Sequence, residues 1–131
     1  MESAFQFTNP SLIELEFGIN EGYFCDENKE VNISINMSVK VEKKDVCNEA
    51  RVSLTVELGG KGEELPFYVT AAEAANFRWK ENLDQEKIDK LLNQNAPSLL
   101  LSYLRPIISQ ITAASPFGIF NIPFMNFTKH E

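Results

Sequence analysis

Histidine occurs once in this chain, at His130, one residue from the terminal Glu131. A Ser-His-Asp triad or a histidine metal site needs an imidazole held inside the fold, and a chain end holds nothing firmly. Cysteine is nearly as scarce. Cys25 and Cys47 lack metal-type spacing and have no internal histidine to serve as base, so they read as free thiols. No stretch reaches the roughly 18 apolar residues of a membrane span. The opening Met1-Glu2-Ser3-Ala4 lacks the basic-then-apolar order of a secretory signal, which sets a cytoplasmic location as the expectation. Basic charge is in deficit, with 12 Lys and Arg against 19 Asp and Glu and a net charge of −7. The one compact basic group, Lys40, Lys43 and Lys44, is interrupted by Glu42 and Asp45. Phosphate binding needs clustered cations, so nucleic acid is excluded as the main partner. The paired acids Glu14 and Glu16, or Glu63 and Glu64, fit a solvated strand face and a turn. Gly59-Gly60-Lys61-Gly62 lacks the spacing and following helix of a phosphate loop. The expectation is a protein that is not an enzyme, holds no metal or cofactor and does not insert into a membrane.

What is present is alternation. From Val31 to Glu42 the odd positions Val31, Ile33, Ile35, Met37, Val39 and Val41 are apolar and the even ones polar. That two-residue period predicts a strand with one buried face. It recurs in Val52, Leu54, Val56 and Leu58, so the two runs predict an antiparallel hairpin. Ile13, Leu15, Phe17 and Ile19 form a third run with Glu14 and Glu16 outward, and Phe5 and Phe7 extend it across a break at Asn9-Pro10. Leu65, Phe67 and Val69 begin a fourth. Ala71 to Ala75 fits helix by composition and strand by position, and if it stays extended Phe77 and Trp79 share one face.

A sheet with one apolar face needs a cover. Asn82 with Gln85 three residues on predicts a capped helix start, and Ile88, Leu91 and Leu92 follow at helical spacing. Asn93 to Pro97 interrupts it. A second helix is predicted from Pro97 to about Ala114, with Leu100, Tyr103, Leu104, Ile107, Ile108 and Ile111 as its apolar set. Its polar residues Ser98, Ser102, Arg105, Ser109 and Thr112 form only a thin line, whereas a helix on a sheet needs an apolar arc of roughly 100°. Either the domain has an unusually apolar helix, or that helix also packs on a second subunit. Pro106 removes the donor to the Ser102 carbonyl and predicts a kink. After Ser115, the segment from Phe117 to Phe127 carries four Phe, two Ile and one Met, with Pro and Gly preventing a regular helix. It reads either as a tail packed on the sheet or as an adaptable apolar surface for varied partners.

Pro97, Leu100, Tyr103, Arg105 and Ile108 resemble the long-helix pattern of the SecB chaperones, and Pro123, Asn126 and Phe127 resemble the segment that follows it in that family. The linked pair covers about a third of the chain. The resemblance implies an α+β fold: a four-stranded antiparallel sheet with helices packed on one face. The whole of 1–131 is then one domain, with strands to about residue 80, helices over about 82–114 and an aromatic loop at 115–127. It further implies a homotetramer built as a dimer of dimers that holds unfolded preproteins without ATP, for protein export. An acidic sheet face would dock the translocation motor. Glu14 falls at one docking position and Glu16 adds a second acid beside it, while Gly18 and Tyr68 stand uncharged at others. The family continues past the position of Glu131 into a second helix and a tail that touches the motor. SecB-like proteins that chaperone an antitoxin are the alternative relatives.

The client-binding candidates are therefore Phe77, Trp79, Phe117, Ile119, Phe120, Ile122, Phe124 and Phe127. The subunit-interface candidates are Leu100, Tyr103, Leu104, Ile107, Ile108 and Ile111. A reading of another class is a carrier of an apolar small molecule, resting on Phe77, Trp79 and Tyr103; a purely structural oligomer is a third.

Overall fold

The computed structural model describes residues 5–24, 31–44, 48–123, 125 and 127. Cys25, Cys47, Phe124, Asn126 and His130 lie outside them. Five strands form one antiparallel sheet: β1 (Phe5–Phe7), β2 (Ser11–Ile19), β3 (Ile35–Lys43), β4 (Glu49–Gly59) and β5 (Phe67–Trp79). β1 and β2 lie along the same side of β5, one pairing with its end and the other with its start. The sheet is thus four strands wide, with its first strand broken at Asn9-Pro10, where proline has no N–H for the ladder. The predicted hairpin is β3–β4, in unbroken register from Ile35 opposite Leu58 to Lys43 opposite Ala50.

β5 settles the Ala71–Ala75 ambiguity as strand. Ala71 and Ala75 sit opposite Val56 and Val52, so a small side chain on β5 meets a β-branched one on β4. Gly59 closes β4 with φ +65, and a Cβ there would collide with the Phe67 carbonyl oxygen, so only glycine fits. Asn20 then ties the following turn, its side-chain nitrogen donating to the carbonyls of Gly60 (2.7 Å) and Leu65 (2.8 Å).

The helical cover is more continuous than expected. α1 (Gln85–Lys90) runs through a π-helical turn, Leu91–Asn95, straight into α2 (Ala96–Ala113). Asn93 to Pro97 therefore widens the helix and does not interrupt it. α1 starts after Asp84, whose backbone is extended and whose side chain makes no capping hydrogen bond; Asn82 lies in the preceding turn, two residues before the position where the expected cap would sit. α2 continues through Pro106. Both Pro106 and Ser102, whose carbonyl loses its donor, lie on the exposed side, where water can complete the bond.

α2 packs on β4 and β5, and the π turn reaches β3. Val52, Leu54, Val56 and Leu58 from β4 and Phe67, Val69, Ala71, Ala75 and Phe77 from β5 face Leu100, Leu101, Leu104 and Ile108 from α2 in one buried cluster. Leu104 is completely buried. Leu104→Ala is expected to lower unfolding free energy by about 2–5 kcal/mol, the range for emptying a packed core site. Urea titration followed by circular dichroism measures it, and a loss below half a kcal/mol would show that the helix rests only loosely on the sheet.

Candidate functional site

The helix side of the sheet is only partly covered. In register, Leu12, Leu15, Phe17 and Ile19 of β2 stand opposite Glu73, Ala71, Val69 and Phe67, which places them on the same face as the core. A β-bulge between Leu12 and Glu14 takes Ile13 out of this row, so the alternation expected from Ile13 onward starts from Leu12 instead. β2 is an edge strand beyond the main reach of α2. Leu12, Ile13, Leu15 and Ile19 are 41%, 50%, 44% and 41% exposed. Long apolar edge strands invite pairing with another chain.

α2 contributes a second open strip. Leu100, Leu104 and Ile108 are fully buried against their own sheet, which removes them as contacts for another subunit. Their side chains lie on the arc that the sheet covers, and a helix cannot present the same arc twice. Tyr103, exposed, and Ile107 and Ile111, half-buried, follow at four-residue spacing on the flank and remain available.

The aromatic candidates separate into two groups at opposite ends of β5. Phe67, at its start, meets Phe17 (6.2 Å between ring centroids), Phe117 (6.4 Å) and Phe120 (6.3 Å), and Phe117 meets Tyr23 edge-on at 5.6 Å. Phe77, near its end, stacks on Phe5 at 5.3 Å and lies 6.0 Å from Phe7. Phe77 is buried and belongs to the core, because strand alternation points it under the helices. Trp79 is half-buried beside it. Ile122 is also buried, since the segment after α2 folds back over the sheet. Phe120 and Phe127 are half-buried against the core. Phe117 and Ile119 remain as the outward apolar side chains of this segment, Ile119 at 58% exposure. None of Phe77, Trp79 and Tyr103 lines the cavity beside α1.

What anchors the segment was missed in the sequence. Thr112 had the spacing of the polar stripe, yet it is completely buried. Its hydroxyl donates to the Ile108 carbonyl (2.8 Å) and accepts the Phe120 amide (2.8 Å). Ser115, also buried, donates to the Thr112 carbonyl at 2.6 Å and accepts the Phe117 amide at 3.3 Å. Ser109 reaches the Asn121 side chain at 2.8 Å. Three hydroxyls of one helix end thus pin the loop, and only the contrast between small polar helix residues and a following Phe-rich stretch could have signalled it.

The opposite face of the sheet carries Glu14 and Glu16, exposed and opposite Ala72 and Thr70. Glu16 lies 3.7 Å from the Lys61 amine, and that amine sits 5.1 Å above the Tyr68 ring. Tyr68 covers Gly18, where a Cβ would strike the ring. This face is therefore acidic at Glu14 and Glu16, aromatic at Tyr68, and partly neutralised by Lys61.

Among the described residues, one ionisable group lies inside. Glu73 is 3% exposed on the helix side of β5, between Leu54 of β4 and Leu12 of β2. Its Oε2 has no hydrogen-bond partner, and burial pushes its carboxyl above the ordinary carboxylate range. No helix in the described residues is long and apolar enough to cross a membrane.

The family model for preprotein translocase subunit SecB matches residues 8–130. The Alcanivorax borkumensis protein-export protein SecB is 25% identical over 129 residues, covering 96% of this chain and 82% of the relative. The Xanthomonas euvesicatoria protein of the same name is 31% identical over 107 residues, covering 79% and 60%. The Mycobacterium tuberculosis SecB-like chaperone, solved in complex with a ChAD peptide from the HigA1 antitoxin, shares the fold with a TM-score of 0.74 at 11% identity. That match covers 93% of this chain and 91% of the other.

Two outcomes follow from these contacts. A carboxyl with its folded pKa raised contributes stability at low pH and loses it as pH rises through that value. Glu73→Leu should therefore raise unfolding free energy at neutral pH by about 1–3 kcal/mol, with the gain shrinking as pH falls toward the ordinary Glu range. Denaturant titrations across pH check this, and a pH-independent difference would contradict it. Thr112→Val should leave the Phe120 amide unsatisfied and speed its hydrogen exchange, while the exchange of β4 and β5 amides stays unchanged.

Proposed function

Because the chain belongs to the SecB family of protein-export chaperones, we propose that it holds non-native polypeptides on its exposed apolar surfaces without ATP, in the cytoplasm. The observation that carries this reading is the apolar surface left open outside the packed core: Phe117 and Ile119 on the pinned segment, with half-buried Phe120 and Trp79 as partial contributors. Aromatic and aliphatic side chains displayed on an adaptable segment bind varied unfolded sequences through non-directional burial, with no bond made or broken. Preproteins are the first client class.

Self-association completes the unit. The β2 row Leu12, Leu15 and Ile19 and the α2 flank Tyr103, Ile107 and Ile111 are the surfaces we assign to other copies of this chain, in a dimer of dimers. A second copy is the natural occupant because an edge strand supplies both unpaired backbone groups and a self-complementary apolar row. Glu14 and Glu16 on the opposite face are the candidate contacts for a translocation motor. An antitoxin is the alternative client, favoured by the fold shared with a chaperone solved on an antitoxin peptide.

The test is suppression of light scattering from a chemically unfolded client diluted into buffer. Near-stoichiometric protein should suppress it, and Phe117→Asp with Ile119→Asp should weaken suppression several-fold while circular dichroism shows that the chain stays folded. Normal suppression by that double variant would move the client site elsewhere. Leu15→Lys with Ile19→Lys should reduce the mass seen by light scattering after size exclusion, and a strictly monomeric wild type would refute the assembly.

A further inference from the structure

At the end of β5 away from Phe67 lies a cavity of about 280 Å³. Gln6, Phe7 and Thr8 line it from β1 and the residue after it, Glu49 from β4, and Asn76 and Arg78 from β5. Asn76 and Arg78 alternate with the buried Ala75 and Phe77, and Glu49 precedes the buried Ala50, so all three point away from the helices. Gln6, Arg78 and Glu49 stand directly opposite one another across three strands. The volume is at the lower edge of the roughly 300–1,000 Å³ usual for ligand clefts, which suits a molecule of amino-acid size.

Two opposite charges are neighbours here without pairing. Arg78 and Glu49 occupy directly facing ladder positions, where such charges attract. Yet the Glu49 carboxylate lies 3.6 Å from the Lys44 amine, and the Arg78 guanidinium donates to the Gln6 side-chain oxygen at 3.5 Å. Arg78 makes no ion pair among the described residues. Two positions along β5, the Asn76 side-chain oxygen is buried and accepts no hydrogen bond among the described residues. Buried acceptors of this kind are few in folded proteins, and each calls for a donor. The Asn76 backbone is meanwhile held by Thr8. The Thr8 amide donates to the Asn76 carbonyl at 2.9 Å, and the Asn76 amide donates to the Thr8 hydroxyl at 3.1 Å. The residue is thus fixed in place with its side-chain acceptor left over.

We infer that this cavity binds a free α-amino acid as its zwitterion. The α-carboxylate meets the Arg78 guanidinium, while the α-ammonium donates to the Asn76 side-chain oxygen and is drawn to the Glu49 carboxylate. A ligand with both poles on one carbon atom engages the cation, the anion and the leftover acceptor together. The interior of a polypeptide carries neither pole, so the site is separate from client binding and does not depend on the holdase reading. A lone anion meets the repulsion of a chain of net charge −7, whereas a neutral zwitterion does not. The site also lies at the opposite end of β5 from Tyr68 and its neighbour Lys61.

Saturation-transfer NMR on the full chain tests this with free L-serine, N-acetyl-L-serine and L-serinamide, whose side chain is small enough for the cavity. L-Serine should bind with a dissociation constant of about a millimolar or tighter, and each capped form about tenfold more weakly. Arg78→Gln and Asn76→Leu should each weaken L-serine binding by about the same factor. Lys61→Gln, which removes a cation from the far end of the same sheet face, should leave it unchanged. Circular dichroism checks that the variants stay folded, and the capped probes test the wild type without any variant. No binding of L-serine at about 10 mM would overturn the inference. So would equal binding of N-acetyl-L-serine, which marks a plain anion site, or of L-serinamide, which marks a plain cation site. Unchanged affinity in either folded variant would likewise place the ligand elsewhere and overturn it.

Discussion

The helix-side face of β5 is the surface from which the rest of the chain takes its position. β1 and β2 pair along one side of it and β4 along the other. Phe67, Val69, Ala71, Ala75 and Phe77 meet the buried row of α2 above. One aromatic group gathers at Phe67 and the other at Phe77. The alanines at the centre matter because their small side chains leave room for α2 over the middle of the strand. Close packing of this kind tolerates little change in volume.

From that constraint the incomplete cover follows. One helix placed over β4 and β5 cannot also reach β2, so the β2 row is left open together with the α2 flank at Tyr103, Ile107 and Ile111. A monomer with no further role would gain by making such an edge short or charged. β2 is nine residues long and carries Glu14 and Glu16 on its other face, yet its helix-side row Leu12, Leu15 and Ile19 stays open beside an apolar helix flank, which fits the assembly proposed above. The segment proposed to meet clients is built on a different logic. The segment after Ser115 is fixed by Thr112 and Ser115 hydroxyls at its root, yet Phe117 and Ile119 point outward. Anchoring at the base limits the entropy lost when a partner binds the tip.

Glu73 belongs to neither surface, though it touches the boundary between them through Leu12. A carboxyl whose Oε2 finds no hydrogen-bond partner, set among Leu12, Leu54, Ala71 and Ala75, opposes the stability of the fold that surrounds it. Its position on the covered side, next to the open edge, puts a carboxyl that burial raises above its ordinary range where the sheet, the helical cover and the β2 edge meet.

How much was legible in the sequence depended on whether a property is local. Alternation at 35–41 and 52–58 determined the hairpin, and helical spacing from Pro97 determined α2, because side-chain direction follows backbone period within one element. The excess of apolar residues between Pro97 and Phe127 and the motif at Pro97, Leu100, Tyr103, Arg105 and Ile108 pointed to the SecB family, which the match over 8–130 shows. What the sequence by itself could not divide was one apolar residue from another. Leu104 and Tyr103, or Ile122 and Ile119, look alike in a hydrophobic run, and only the placement of α2 over β4 and β5 decided which were core and which were surface. The bulge at Ile13, the buried Thr112 and the distance between Phe77 and Phe117 were likewise set by contacts between residues far apart in the chain, and no local period encodes such contacts.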